Sequence, residues 1–503
     1  MGQLPGPAVS AERIVVVGAG VGGLASAALL ASRGREVVVV ERADAPGGKL
    51  HAHRLGGAAV DAGPTVLTMR WVFDEIFAAC GASFGSDVAL HPAAVLARHA
   101  WDDGARFDLH ADAAAATDEV ARFAGAAEAR RFRAFCERAR RIYATLERPY
   151  LTSPRGGPAA LVRRTGLRRL PDLWRIAPFA TLWAALGAYF RDPRLRQLFG
   201  RYATYCGSSP FRAPATLMLI AHVEQSGVWL VDGGMHRIAE ALAELARRNG
   251  AVLRFAAPAA EVVVRDGRAA GVVLADGERI DATAVVVNGD VAALAGGRLG
   301  RAVRAAVTPP PRHARSLSAV TWTLVARATG FPLTRHNVFF SPDYEAEFDD
   351  LFARRTTPKD PTVYVCAQDR GDDATAPSGP ERLLCLVNAP PIGDSHLFDG
   401  DDVARVEART FARLARAGLA LERRDDSTIV TTPTDFEGLY PGTGGALYGR
   451  VSHGWRASFA RPGASTRIPG LYCAGGSVHP GPGLPMAALS GRLAAAAVLA
   501  ARR

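Results

Sequence analysis

An α/β fold, α+β when the whole chain is counted, is what this 503-residue sequence predicts, and three observations carry it. Two runs of β-branched residues, 14–17 and 37–40, flank an Ala/Leu-rich stretch at 24–32 that Gly34 closes. Unbroken runs of this kind suit parallel strands buried on both faces, with a helix between them. Two later stretches, 227–290 and 470–503, return to the same character of Val-rich strands, glycine turns and Ala-rich helices. The blocks between them differ: one is helical and basic, while the other opens on Pro309, Pro310 and Pro311 and continues in alternating strands such as LSAVTWTLVA and RLLCLVNA. A chain of this length exceeds what one core serves, so about two or three domains are expected. The economical arrangement is one domain in three pieces, 1–99, 227–308 and 461–503, with a helical basic region at 100–226 and a mixed substrate domain at 309–460.

The opening unit carries G-x-G-x-x-G at Gly18, Gly20 and Gly23. Glycines at a strand-to-helix turn let the backbone approach a pyrophosphate lying on the helix N-terminus. Glu41 ends the second strand at the spacing of a carboxylate that binds a ribose 2′-OH, which disfavours a 2′-phosphate and so NADP. Together these predict a Rossmann-type dinucleotide site. Gly47, Gly48 and Lys49 place a second glycine turn and a cation near the same pyrophosphate, and Gly63, Pro64 and Thr65 follow. At the far end, Gly475 and Gly476 open a glycine-rich loop, and Pro485 stands where a first helical residue belongs. The N–H groups around Leu484, Met486 and Ala487 are then expected to point out of that loop without intrahelical partners.

Charge is uneven. Residues 122–201 hold 18 Arg against five acids, in a chain whose net charge is +11. Inside this block, residues 176–190 carry no charge. The run is shorter than the roughly 20 residues a spanning helix needs, and Pro178 interrupts it. Flanked by Arg163, Arg164, Arg168, Arg169, Arg191 and Arg194, it suits a segment lying in the headgroup layer of an anionic membrane; a buried helix with a basic rim is the alternative. No nucleic-acid-binding motif accompanies the charge, so nucleic acid is not an expected partner. The six cysteines are scattered, with no C-x-x-C and no His at ligand spacing, which predicts neither a disulfide framework nor a metal site. The first twelve residues contain no apolar signal segment, and the expected location is the cytoplasm.

The glycine motifs at Gly18 and at 47–49, the VDAGPTVL stretch, Gly233-Gly234-Met235 before a helix, and Gly475, Gly476, Ser477, His479, Pro480, Gly481, Gly483 and Ser490 in register together resemble the carotenoid/phytoene desaturase family of the flavin amine oxidase superfamily. Lys49 stands where the family usually has Arg, and Cys473, Val478 and Pro482 also depart from its usual choices. Stretches such as FRDPRLRQLFGRYATYCGSSPF and TPTDFEGLYPGTGGALYG look like the bacterial 1-hydroxycarotenoid 3,4-desaturases, the hydroxyneurosporene and methoxyneurosporene desaturases. The resemblance implies non-covalent FAD, with Val262 contacting the nucleotide and a helix N-terminus at Leu484 and Met486 aimed at the isoalloxazine C2=O edge. It implies hydride loss to flavin and proton loss at C3–C4 of an acyclic 1-hydroxycarotenoid, phytoene desaturation and flavin-dependent carotene isomerisation being the alternatives. A membrane surface, a hydrophobic carotenoid, and a quinone or oxygen as electron acceptor are the implied partners, with the protein peripheral to the inner membrane. No catalytic residue is assigned; Tyr202, Tyr205 and His479 are candidate substrate residues, His479 being read first as a hydrogen-bonding residue that orders its loop.

Overall fold

The computed structural model describes residues 12–501 except 167, 169 and 372–374. The N-terminal leader and Arg169 therefore lie outside the described residues. At the centre is a five-stranded parallel sheet, ordered Val252–Arg254, Glu36–Val40, Arg13–Val17, Ala284–Val287 and Leu471–Cys473. Side chains alternate across it. Ile14 and Val16 join a core with the helices Val21–Ala31, Arg237–Arg248 and Leu484–Ala500, while Val15, Val285 and Val287 join a second core beneath the antiparallel strands Ala259–Arg265, Arg268–Leu274 and Arg279–Asp281. Both faces are covered, which is why these strands read as unbroken apolar runs. The first and last helices cross so closely that a Cβ on Gly491 would stand 2.1 Å from the Gly22 carbonyl oxygen.

A second, eight-stranded sheet runs Ala420–Glu422, Ser318–Thr329, Glu381–Ala389, Val363–Ala367, His336–Phe339, Val95–Ala100 and Arg106–His110, with Thr428–Thr431 also paired to Ser318–Thr329. Period-two alternation sorts its faces. Val320, Trp322, Leu383, Cys385 and Val387 pack in a core with the helix Gly400–Arg416, whereas Thr321, Leu384, Leu386 and Asn388 face a cavity. The structure corrects the expected boundaries here: residues 95–110 belong to this sheet rather than to a nucleotide piece or a helical block. They form a hairpin around Asp102-Asp103-Gly104, with Gly104 at φ 80°.

The helices Ala113–Ala124 and Ala126–Leu146 lead a third layer. The uncharged run at 176–190 divides within it. In the helix Leu182–Tyr189, Leu182 and Leu186 are fully buried, and Phe190 packs between Phe135 and Phe199 with ring centroids 5.2 and 4.9 Å away. The expectation that the whole run lies in a headgroup layer is thus corrected, because its second half fills the core. Trp174 and Phe179 behave otherwise and are 75 % and 61 % exposed. Among the described residues no helix is long and apolar enough to cross a membrane.

Candidate functional site

A cavity of about 1110 Å³ lies between the parallel sheet, the eight-stranded sheet and the helical layer. One end is the glycine turn. Gly18 has φ 99°, and the Asn288 side chain crosses behind the turn, donating to the Gly18 carbonyl at 3.4 Å. A Cβ on Gly23 would meet the Gly18 carbonyl oxygen at 2.2 Å, so this third glycine serves helix-to-strand packing and does not line the cavity, whereas Gly18, Gly20 and Gly22 do. Glu41 also lines it. Its two oxygens accept the Ala19 amide at 2.6 Å and the Ala43 amide at 2.9 Å, and a carboxylate so held keeps lone pairs for a ribose hydroxyl. The Gly47 amide donates to the Ala19 carbonyl at 2.9 Å, bringing the second glycine turn against the first.

The C-terminal loop closes the next section. Gly475, Gly476, Leu484 and Met486 line the cavity, and the helix Leu484–Ala500 begins there with no side-chain cap on its first turn. Open amides at that position, beside glycines without Cβ atoms, fit the flavin that the resemblance implies. Ser490 ties the loop to the helix, accepting the Gly475 amide at 2.7 Å and donating to the Ala487 carbonyl at 2.7 Å. Lys49 is half-buried and donates to the Leu447 carbonyl at 2.6 Å, with its ammonium 5.0 Å from the Tyr440 ring centroid; desolvation pulls its pKa down. That bond ties the second glycine turn to the loop that follows the helix Pro433–Leu439. Arg461, which is buried, donates to the Tyr448 carbonyl at 3.0 Å and the Gly476 carbonyl at 3.2 Å, fixing the loop from the other side.

Gly63 permits a close approach: a Cβ there would stand 1.9 Å from the Lys49 carbonyl oxygen. Pro64 and Thr65 line the cavity, and Thr65 shares a 2.7 Å hydrogen bond with the Tyr364 hydroxyl, which in turn meets His336 Nδ1 at 2.7 Å. Burial holds His336 neutral, with its pKa lowered to about 3. Further on the walls turn apolar at Leu146, Leu161, Leu217, Ile220 and Val223, and one polar group of Arg201, Tyr205 and Glu224 interrupts them.

Four expected residues are placed differently. Val262 lies in the core under the antiparallel strands with its amide on the Leu299 carbonyl, and it is Pro258 and Ala259 on that segment that reach the cavity. The Gly234-Met235 turn faces Asp61, whose carboxylate accepts the Met235 amide at 2.6 Å. His479 Nε2 lies 3.0 Å from both the Tyr150 and Ser153 carbonyls, so it orders the loop and is not presented to a substrate. Tyr202 sits behind the wall, donating to Glu224 at 2.6 Å, whereas Tyr205 does line the cavity. Glu224, Tyr364, Asn288 and Arg461 were not foreseen. Glu224 left one trace, the single acid of the LIAHVEQ helix.

Known proteins agree with this geometry. The family model described as flavin containing amine oxidoreductase matches residues 21–499. The chain is 53 % identical over 490 residues to hydroxyneurosporene desaturase of Rubrivivax gelatinosus, covering 97 % of this chain and 93 % of that protein. It is 47 % identical to hydroxyneurosporene desaturase of Cereibacter sphaeroides, covering 97 % of each. Among solved structures, an oxidoreductase from Methanosarcina mazei shares the fold with TM-score 0.61 at 17 % identity, over 97 % of this chain and all of that one. With its glycine turns, its Glu41 and its uncapped C-terminal helix meeting in one cavity, the chain belongs to the flavin containing amine oxidoreductase family.

Proposed function

We propose that this protein is an FAD-dependent carotenoid desaturase that introduces the C3–C4 double bond into acyclic 1-hydroxycarotenoids of the hydroxyneurosporene type. The observation that carries the reading is a single cavity that starts at a dinucleotide turn and continues into an apolar chamber, in a chain half identical to hydroxyneurosporene desaturases. Gly18, Gly20 and Glu41 would hold the adenosine and pyrophosphate part of FAD, and Gly23 packs the turn. Gly47, Gly48, Lys49, Gly63, Pro64 and Thr65 would border the middle of the cofactor. Gly475, Gly476 and the amides at Leu484 and Met486 would lie against the isoalloxazine ring. When bound, FAD supplies the hydride acceptor. The chain supplies the rest: an apolar chamber that excludes water, walls that align the polyene along the ring, and a helix N-terminus that stabilises negative charge on the ring edge.

The substrate is too apolar to arrive through water. Trp174 and Phe179 pack edge to face with centroids 5.7 Å apart, and Phe179 meets Trp455 at 5.6 Å, while Ile176, Pro178 and Trp455 line the cavity. Exposed Arg163, Arg168, Arg175 and Arg456 lie close to this aromatic cluster in sequence. These features support a cavity mouth resting on an anionic membrane surface, with the protein peripheral to the inner membrane; the family resemblance implies a quinone or oxygen as the terminal acceptor.

The test is anaerobic mixing of the yellow protein with liposomes carrying hydroxyneurosporene, neurosporene or phytoene. Stoichiometric bleaching of the flavin, with a product absorbing at longer wavelength from hydroxyneurosporene, is expected. Product without bleaching would indicate an isomerase, and efficient conversion of phytoene a phytoene desaturase.

A further inference from the structure

The helix Leu219–Gln225 turns Leu219, Ile220 and Val223 toward the cavity, and then Glu224. A hydrocarbon chamber has no use for a carboxyl group, and burying one without partners is costly. Glu224 is 6 % exposed, accepts the Tyr202 hydroxyl from behind at 2.6 Å, and has Tyr205 beside it at the wall. The Tyr202 bond leaves acceptor capacity on the carboxyl, and Glu224 lines the chamber. Arg201 stands beside it, with its guanidinium 5.7 Å from the Tyr205 ring centroid and 5.4 Å from that of Tyr364. Tyr364 in turn reaches Thr65, next to the Gly63-Pro64 turn. The polar groups therefore form an ordered row from the cofactor end, Thr65, Tyr364, Arg201, Tyr205 and Glu224.

We infer that Glu224, with Tyr205 and Arg201, forms the subsite that takes the tertiary hydroxyl of the substrate, the hydroxyl donating to the Glu224 carboxyl. The inference rests on the carotenoid reading above and deepens it. A tertiary alcohol adds a donor to the acceptor capacity that Tyr202 leaves on the carboxyl, whereas a bare hydrocarbon end leaves that capacity unused. The hydroxyl carbon lies two bonds from the reacting C3, so a hydroxyl held at Glu224 fixes which end of the polyene enters the chamber. Burial pushes the Glu224 carboxyl up, and Tyr202, Tyr205 and Arg201 oppose the rise.

The experiment compares kcat/KM for hydroxyneurosporene and neurosporene, at matched liposome loading, in FAD-loaded full-length wild type, Glu224→Gln, Glu224→Leu and Tyr205→Phe. The wild type is expected to favour the hydroxylated substrate by about tenfold or more. Glu224→Leu is expected to bring the ratio near one through loss on the hydroxylated substrate alone. Glu224→Gln, which keeps an acceptor oxygen, should retain part of the preference, and Tyr205→Phe should lower it. A role confined to holding the helix predicts equal losses on both substrates and an unchanged ratio, which overturns the subsite while leaving the desaturase reading intact. Should Glu224→Leu not fold, an unchanged ratio in both Glu224→Gln and Tyr205→Phe overturns it equally. A wild type that desaturates neither compound overturns the carotenoid reading, and the subsite with it.

Discussion

Gly20 sits where cofactor retention is decided. A Cβ there would stand 2.7 Å from Asn288 Nδ2, and a branched side chain would also fill the approach to the first helix N-terminus. Gly20→Val is expected to purify colourless, read from the ratio of flavin to protein absorbance; a fully yellow variant would show the dinucleotide site to be elsewhere. Glu41→Ala should cost about 1–3 kcal/mol of FAD affinity, a rise in Kd of roughly five- to 150-fold by titration. Glu347 offers a pH signature away from the cavity. Burial pushes its carboxyl from an ordinary 4.5 up to about 7, opposed by the Thr362 hydroxyl, which donates at 2.6 Å. Because the folded value is the higher one, this contribution to stability is full below the unfolded value and lost as pH rises through about 7. Glu347→Gln should therefore flatten the fall in urea midpoint between about pH 5 and 8, and an unchanged slope would assign that fall to other groups. At this scale the glycines and Glu41 are legible because spacing along one βαβ unit defines them. Glu224 and Tyr364 are not, because distant segments bring them to the cavity and neither belongs to a spaced motif.

Elements are legible where burial imposes a simple period. The strands read at 14–17 and 37–40 are Arg13–Val17 and Glu36–Val40, the alternating run at 317–326 overlaps Ser318–Thr329 in all but its first residue, and the run at 382–389 falls within Glu381–Ala389. The hairpin at 95–110 escaped because His99 and Arg98 break its apolar alternation; His99 is buried and stacked on Phe340, while Arg98 pairs with Asp108 at 2.7 Å. The uncharged run at 176–190 misled for a related reason: absence of charge marks a core as well as it marks a membrane surface. The crossing of Val21–Ala31 and Leu484–Ala500 carries its own prediction. Since a Cβ on Gly491 meets backbone, which cannot swing aside, Gly491→Ala should cost about 1–3 kcal/mol of stability and loosen FAD, measured by denaturation with and without added cofactor. Undiminished stability would mean that the two helices can part without cost.

For the whole molecule, the question is how an insoluble substrate meets a cavity with no described membrane-spanning helix. Replacing Arg163, Arg168, Arg175 and Arg456 with Gln should weaken sedimentation with anionic liposomes at low salt, each charge near the surface contributing about 1 kcal/mol. Trp174→Ala with Phe179→Ala should weaken it independently of salt, and unchanged sedimentation in both sets would move the docking face elsewhere. Arg164 is left out because it holds the Pro154 carbonyl at 2.7 Å. The path of the chain has a further consequence. The sheet that begins with Arg13–Val17 receives one edge strand only from Leu471–Cys473, and Val21–Ala31 packs against Leu484–Ala500 as well as Arg237–Arg248. During synthesis, then, hundreds of residues leave the ribosome before the first strand and helix acquire their final neighbours, and the growing chain must wait with an unfinished nucleotide fold. Cofactor loading is in this sense a post-translational event, and ribosome-bound chains arrested before residue 470 should take up no flavin, however much of the eight-stranded sheet has already formed.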